Sequence, residues 1–169
     1  MKKTAILFGS SSGTTEDIAR RIAKKLGVNP SDVYNVDSVN AEEILSYEAL
    51  ILGSSTWGVG ELQDDWDGFL PKLKKKDLAG KTVAIFGTGD SDSYSDSFCD
   101  AIGIIYNELK NTGCRFCGAV STDSYSFDDS AALVDGQFAG LPIDEVNEDS
   151  ETDGRIDRWV EQLKTECLG

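Results

Sequence analysis

Thr4-Ala-Ile-Leu-Phe-Gly9 and, directly after it, Ser10-Ser-Ser-Gly-Thr-Thr15 form the stretch of sequence that decides the fold. The first part is a short apolar run that ends in glycine, a pattern typical of a buried strand. After the second part, Ile18, Ile22 and Leu26 recur at the spacing of one helix face. The stretch therefore predicts a strand, a loop rich in hydroxyl groups and a helix that begins at this loop.

The same alternation of strand and helix continues along the chain. Strands are predicted at residues 33–36, 49–53 and 82–87, and helices near residues 41–47, 66–73, 98–109 and 156–167. The fifth strand is predicted to be interrupted, because residues 116–121 and 138–143 both have a strand pattern and a polar stretch separates them. Strands that alternate with helices form a parallel sheet covered on both faces. We therefore expect a single α/β domain over residues 1–169, with a doubly wound five-stranded sheet in the order 2-1-3-4-5.

The charge of the chain is strongly acidic. Thirty Asp and Glu residues against sixteen Lys and Arg give a formal net charge of -14, and there is no histidine. Nucleic acid and anionic membrane surfaces are therefore not expected partners, whereas a basic protein surface is. The missing histidine weakens most hydrolase mechanisms. The apolar runs are too short to cross a bilayer and no secretory signal pattern is present, so we expect a cytoplasmic protein.

Four cysteines without a secretory signal predict reduced thiols rather than a disulfide framework. Cys114 and Cys117 form a Cys-x-x-Cys pattern, but residues three apart on a strand are roughly 10 Å apart on opposite faces. That separation is too large for a disulfide, so a redox or metal role for this pair is not favoured. Cys99 and Cys167 fall in amphipathic helical patterns and are expected to be packed thiols.

Ligands of a doubly wound sheet bind outside the carboxyl ends of the strands, where the strand order reverses. The first loop at this edge, residues 10–15, offers five hydroxyl groups and Gly13 at the start of a helix. Such neutral donors suit a monophosphate. The loop lacks the lysine of triphosphate-binding loops. A serine-rich turn that only caps the helix is the alternative.

The next two loops each carry an aromatic side chain. Trp57 stands among small residues after the third strand, and Tyr94 follows the fourth strand. Each ring is either a core residue or an exposed stacking surface. On adjacent loops beside a phosphate site, the two rings could hold a flat heteroaromatic ring between them.

Taken in order, these motifs resemble those of flavodoxins over essentially the whole chain. Ser10-Ser-Ser-Gly-Thr-Thr15 resembles the phosphate loop of the family, [T/S]-x-[T/S]-G-x-T. Thr56-Trp57 resembles its first flavin-contacting loop, and Thr88-Gly-Asp90 with Tyr94 resembles its second.

The interrupted fifth strand resembles the insertion of the long-chain branch of this family. Thr122-Asp-Ser-Tyr125 and Asp135-Gly-Gln-Phe-Ala-Gly-Leu141 carry this part of the resemblance. Two positions depart from the family pattern, since Ser55 stands where proline is frequent and Val146 where an acid is frequent. Val146 is therefore left out of the predicted site.

The resemblance implies a low-potential one-electron carrier with non-covalent FMN that shuttles between semiquinone and hydroquinone, and not an enzyme. It places the phosphate at residues 10–15 and the flavin ring between Trp57 and Tyr94. No catalytic or metal-binding residue is implied. The cofactor-binding residues that it implies are Ser10, Ser11, Ser12, Gly13, Thr14, Thr15, Ser55, Thr56, Trp57, Gly58, Gly60, Thr88, Gly89, Asp90, Tyr94, Phe98 and Cys99.

In this family the peptide after the first aromatic flips on reduction of the flavin, so the resemblance gives Gly58 a role. Glycine tolerates the positive φ of such a flip. Nearby acids would disfavour a negative charge on the flavin and attract basic redox partners, a reductase and an acceptor. These acids are Glu61, Asp64, Asp65, Asp67, Asp90, Asp92 and Asp96. For the acids of residues 144–153 solubility is the favoured role, and we expect a monomer.

An FMN-dependent NAD(P)H:quinone reductase is the main alternative, because related folds bind FMN. It needs space for substrate over the ring, which two covering aromatic residues do not leave. A receiver domain requires acids where Gly53-Ser-Ser55 stands, and a low-molecular-weight phosphatase requires Cys-x5-Arg, which the sequence lacks.

Overall fold

A parallel sheet with helices on both faces forms the centre of the computed structural model, which describes residues 1–57 and 59–169. The strands are β1 (Thr4–Gly9), β2 (Val33–Asn35), β3 (Ala49–Trp57), β4 (Glu61–Leu62), β5 (Thr82–Thr88), β6 (Arg115–Cys117), β7 (Leu133–Val134), β8 (Gln137–Phe138) and β9 (Leu141–Ile143). The helices are α1 (Thr14–Leu26), α2 (Asp65–Leu73), α3 (Asp100–Leu109) and α4 (Asp149–Leu163), and a π turn over Lys164–Leu168 follows α4.

The sheet has the strand order β2-β1-β3-β5-β6, and β9 lies beside the second half of β5. All of these pairings are parallel. The predicted strands four and five correspond to β5 and to β6 together with β9. The predicted order 2-1-3-4-5 is therefore confirmed. The short β4 adds one antiparallel pairing to the end of β3, which was not predicted.

Strand β1 is buried along its whole length, which explains its continuous apolar run. Ala5 and Leu7 belong to the core that includes side chains of α2 and α3. Ile6 and Phe8 belong to the second core, which includes side chains of α1 and α4. The strand therefore packs against helices on both of its faces, as a parallel sheet requires.

Gly53 in β3 is required by the packing of the neighbouring strand. A Cβ at this position would lie 1.9 Å from the ring of Phe86 in β5. The ring of Phe86 also packs edge-on against Trp159 of α4, with 6.5 Å between the ring centroids. This contact joins the middle of the sheet to the last helix.

The fifth strand is interrupted, as predicted, although both of its parts are shorter than expected. Strand β6 pairs with the first half of β5, and β9 pairs with the second half. Between them β7 and β8 form a two-stranded antiparallel sheet that the sequence pattern did not reveal. The insertion is anchored by aromatic contacts, since Tyr125, Phe127 and Phe138 all pack against Phe98.

Three predicted helices differ from the observed ones, and one of them, α4, begins at Asp149 rather than at residue 156. The segment predicted as a helix near residues 41–47 forms only a 3-10 turn over Glu43–Ser46. Helix α3 begins at Asp100 rather than at residue 98, because Cys99 has a φ of 52° and lies in the left-handed region. Among the described residues, no helix has the length and apolar character needed to cross a membrane.

The prediction that the cysteines are reduced thiols is wrong for one pair. Cys117 at the end of β6 and Cys167 after α4 form a disulfide, with 6.6 Å between their Cα atoms and 50 residues between them in sequence. Their proximity arises from the packing of the C-terminal helix against the sheet, which local spacing does not encode. Cys99 and Cys114 are free, and Cys114 and Cys117 are not joined, as predicted.

We expect this disulfide to stabilise the protein measurably. Cross-linking two cysteines 50 residues apart restricts the unfolded chain, which corresponds to about 4 kcal/mol on the loop-entropy relation. Cys117→Ser should therefore lower the urea midpoint of the oxidised protein, and a reductant should lower that of the wild type. Cys114→Ser is the matched control and should retain the wild-type response. Four reactive thiols in the denatured, unreduced protein would contradict the disulfide.

Candidate cofactor site

A pocket of about 380 Å³ opens at the carboxyl ends of the central strands. It lies among the loops that follow β1, β3, β5 and β9, as expected for a doubly wound sheet. Its lining residues are Ser12, Thr14, Ser55, Thr56, Trp57, Thr88, Gly89, Asp90, Tyr94, Ser97, Phe98, Cys99, Glu145 and Val146. The three loops singled out in the sequence therefore meet at one site.

The hydroxyl-rich loop wraps around the N-terminus of α1. Gly13 occupies the N-cap position with a φ of 92°, and its N–H donates a hydrogen bond to Ser10 Oγ over 3.0 Å. Ser12 and Thr14 line the pocket. An anion at this position would meet hydroxyl groups, backbone N–H groups and the positive end of the helix dipole.

Two acids in the first turn of α1 would oppose an anion there, but both are neutralised. Glu16 forms an ion pair with Arg20 at 2.9 Å, and Asp17 pairs with Arg21 at 3.4 Å. The basic partners lie one helical turn further from the pocket. The site therefore presents neutral donors to an anion.

Thr15 has a different position from the rest of its loop. It is buried, and its hydroxyl oxygen lies 3.1 Å from that of Thr88 at the end of β5. This hydrogen bond joins the first loop to the third beneath the pocket. Ser10, Ser11 and Gly13 also do not line the pocket walls.

Trp57 and Tyr94 are exposed surfaces rather than core residues. Their exposed fractions are 47% and 48%, and both line the pocket. The indole Nε1–H of Trp57 donates to Ser55 Oγ over 2.7 Å. Ser55, one of the two departures from the family pattern, therefore fixes the orientation of the tryptophan ring.

The loop that contains Trp57 is held at both ends. Thr56 Oγ1 accepts a hydrogen bond of 3.0 Å from the N–H of Ala101 in the first turn of α3, and Trp57 pairs with Glu61 in the β3–β4 ladder. Gly60 has a φ of 90° and does not line the pocket. Gly58, which was predicted to allow a peptide flip, lies outside the described residues.

Asp90 shapes the third loop. Its carboxylate accepts hydrogen bonds from the N–H of Ser93 at 2.9 Å, the side chain of Asn147 at 2.8 Å and the N–H of Asp92 at 3.1 Å. These bonds, that from Ser93 first, hold the pKa of Asp90 below its usual value. The backbone oxygen of Asp90 also accepts the N–H of Tyr94 over 3.0 Å. An ionised Asp90 thus organises the turn that carries the second aromatic ring.

Phe98 and Cys99 form the buried back wall of the pocket. Both have an exposed fraction of 0%. Burial raises the pKa of the Cys99 thiol, so this group is neutral near pH 7. Its sulfur lies 3.8 Å from the backbone oxygen of Gly87. These two residues close the site and carry no charge.

Sequence reasoning missed two residues of the pocket wall, Ser97 and Glu145, and it was wrong to leave out Val146, which also lines the pocket. Ser97 carries no local signal, since it lies in a polar turn. Glu145 and Val146 follow β9, and their proximity depends on β9 pairing with β5 beyond the insertion. Both residues follow the carboxyl end of the fifth strand, and this position could have predicted that they lie at the site. Val146 is 68% exposed, an apolar side chain at the mouth of the pocket.

The charged groups of the pocket wall are both acidic. They are Asp90 and Glu145, and the latter pairs with Arg21 at 3.0 Å. Among the described residues, no group of three or more His, Cys, Asp or Glu side chains could hold a metal ion. The arrangement suits a ligand with a flat aromatic ring and a single phosphate.

Comparison with known proteins agrees with this geometry. A family model described as flavodoxin matches residues 6–159. The chain is 42% identical to flavodoxin 1 of Azotobacter vinelandii over 99% of both chains, and 42% identical to a flavodoxin of Nostoc sp. over 98% and 97%. A solved flavodoxin of Fusobacterium nucleatum bound to flavin mononucleotide has a TM-score of 0.89 and 33% identity, covering 98% of this chain and 99% of that one. The chain therefore belongs to the flavodoxin family.

Proposed function

We propose that this protein is a one-electron carrier that holds FMN non-covalently in the pocket at the carboxyl ends of β1, β3 and β5. The observation that carries this proposal is the pair of half-exposed rings, Trp57 and Tyr94, beside a loop of neutral donors at a helix N-terminus. Flavodoxins are electron carriers rather than enzymes. Bound FMN supplies the redox chemistry, because it accepts electrons one at a time.

The described residues fit the two ends of this cofactor. Ser12 and Thr14, at the N-terminus of α1, would bind the phosphate without a lysine or arginine. Trp57 and Tyr94 would cover the two faces of the ring. Ser55, Thr56, Thr88, Gly89 and Asp90 would contact its polar edge and the ribityl chain. Phe98 and Cys99 would exclude water from the inner side.

Residues that do not line the pocket would support those that do. Ser10 and Gly13 shape the phosphate loop through their mutual hydrogen bond, and Thr15 links this loop to Thr88. Gly60 has a positive φ in the turn after Trp57, where a Cβ would lie 2.5 Å from a carboxylate oxygen of Asp100. We propose that these positions set the shape of the site.

The electrostatics of the wall favour a low potential. The negative charge of Asp90 lies at the pocket, and the lining has no lysine or arginine to offset it. Adding an electron beside a fixed negative charge in a poorly solvated site is unfavourable. The protein should therefore hold its second electron weakly and pass it on readily.

We also propose an acidic rim as the docking surface, formed by exposed carboxylates around Trp57 and Tyr94: Glu61, Asp64, Asp67, Asp92 and Asp96. None of these five forms an ion pair with another described residue. Their charge is thus available to steer basic redox partners. The exposed side chains of Val59 and Val146 would add apolar contacts at the centre of this surface.

Some of the acids of residues 144–153, for which solubility was predicted, make contacts within the protein instead. Asp144 is fully buried, which excludes a solvating role. Glu145 and Asp153 both pair with Arg21, which joins α1 to the start of α4. Asp149 and Glu151 are exposed and form no ion pair with another described residue, so solubility stays the prediction for these two. The docking proposal concerns the acidic rim alone, and we propose that the protein acts as a monomer in the cytoplasm.

The carrier and the quinone reductase alternative differ in how they take up electrons. In an anaerobic spectroelectrochemical titration, we expect the yellow holoprotein to be reduced in two separate one-electron steps, the second at much lower potential. The purified protein alone should oxidise NADPH negligibly. A single two-electron step with rapid NADPH oxidation would favour the reductase. The family assignment favours the carrier.

Replacing either aromatic ring should weaken FMN binding. Stacking on an aromatic side chain contributes about 1–3 kcal/mol, so Trp57→Leu and Tyr94→Leu should each raise the dissociation constant about 5-fold to 150-fold. The measurement is a fluorescence titration of apoprotein with FMN. Tyr106→Leu is the matched control, because Tyr106 packs on Phe116 away from the pocket. Wild-type affinity in both site variants would contradict the sandwich.

Neutralising the acidic rim should slow electron transfer from a basic reductase. The triple variant Glu61→Gln, Asp64→Asn, Asp67→Asn should reduce the association rate about tenfold at low ionic strength, with a flatter salt dependence. The control variant Asp123→Asn, Asp135→Asn, Asp149→Asn removes the same charge from exposed acids outside the rim. Equal slowing in both variants would show that net charge, not the rim, controls docking.

A further inference from the structure

Asp144 is a buried acid directly after β9 that the function described above does not use. Its exposed fraction is 0%, and it forms no ion pair with any other described residue. A buried carboxylate without a counterion is costly unless hydrogen bonds compensate for its lost hydration. Burial alone would raise the pKa of Asp144, but hydrogen bonds from Ser91 and Asn147 outweigh burial and hold this pKa below its usual value. The group is therefore a buried anion.

The donors to this anion come from two separate segments of the pocket. Ser91, in the loop after β5, donates through its hydroxyl and through its N–H at 3.0 Å. After β9, Val146 donates through its N–H at 3.1 Å, and Asn147 through its N–H at 2.9 Å and its amide group at 3.0 Å. One carboxylate thus joins the third loop to the turn that follows the fifth strand.

Further hydrogen bonds connect Asp144 and Asn147 to the turn that carries Tyr94. The amide group of Asn147 also donates to Asp90 Oδ1 over 2.8 Å. The same oxygen accepts the N–H of Ser93, and the backbone oxygen of Asp90 accepts the N–H of Tyr94. An unbroken set of hydrogen bonds therefore runs from Asp144 to the turn that carries Tyr94.

We propose that Asp144 is a positioning residue for the flavin, which holds the loop of Tyr94 over the pocket and places a fixed negative charge behind the site. This inference rests on the proposed function, since it requires FMN in this pocket. Asp144 acts through Ser91 and Asn147 and does not itself line the pocket. Its neighbour Glu145 does line it, so the charge lies close behind the wall.

The competing explanation for the hydrogen bonds of Asp144 is that this residue only stabilises its own turn. The bonds from Val146 and Asn147 to Asp144 stabilise a turn before α4, as an aspartate often does. That role would not require the two bonds from Ser91, which lies 53 residues away in sequence. A local role would also leave the FMN affinity and the redox potential unchanged.

Asp144→Asn tests the proposal, because it removes the charge and keeps the shape of the side chain. We expect the apoprotein to bind FMN about tenfold more weakly, since hydrogen bonds to a charged group are lost. The amide hydrogens of Ser91 and Ser93 should exchange faster, and the potential of the second reduction should shift to a less negative value. Asp149→Asn, an exposed acid at the start of α4, is the control and should change none of these readouts.

Asn147→Ala separates position from charge. It breaks the bridge between Asp144 and Asp90 but retains the buried charge and its bonds from Ser91. We expect weaker FMN binding with an unchanged potential, and this variant also tests the proposal if Asp144→Asn does not fold. Wild-type affinity in Asn147→Ala, or wild-type affinity and potential in Asp144→Asn, would overturn the proposal. Failure of the wild-type protein to bind FMN would instead overturn the proposed function.

Discussion

The site depends on the register of three neighbouring parallel strands. Gly9 of β1 lies beside Ser54 of β3, and Ser54 lies beside Gly87 of β5. This register brings the three strands to the same edge of the sheet at the same level, so their loops converge on one pocket. The hydrogen-bonded ladder cannot slip by one residue without moving the buried side chains of β1 to the opposite core. The geometry of the cofactor site is thus a consequence of core packing.

The exposed carboxylates fall into two groups, one that forms ion pairs within the fold and one that does not in the described part of the chain. On the α1 side, Arg21 forms ion pairs with Asp17, Glu145 and Asp153, and Lys25 pairs with Asp157. These contacts tie the first helix to the last. The acidic rim on the other side has no internal partners among the described residues. The carboxylates that form ion pairs within the fold therefore differ from those proposed for partner docking, although composition alone gives only their total number.

Much of this arrangement was predictable, because it follows from local patterns. Apolar runs and helical spacing predicted the strands, the helices and the interrupted fifth strand, and the doubly wound fold predicted the strand order. The positions of Trp57 and Tyr94 after two strands left each ring as a core residue or a stacking surface, and the resemblance to flavodoxins favoured stacking. The parts that were not predictable depend on contacts between distant segments. The Cys117–Cys167 disulfide and the bonds of Ser91 to Asp144 join residues about fifty positions apart. No spacing rule distinguishes these residues from other cysteines and acids, so their roles emerge only when the chain is folded.

The most direct test of the account is a crystal structure of the protein with FMN bound. We expect the phosphate to lie against the loop of residues 10–15 and the flavin ring to lie between Trp57 and Tyr94. The Asp144 carboxylate should still accept hydrogen bonds from Ser91. A flavin bound elsewhere on the molecule, or a ring in this pocket that contacts neither aromatic side chain, would contradict it.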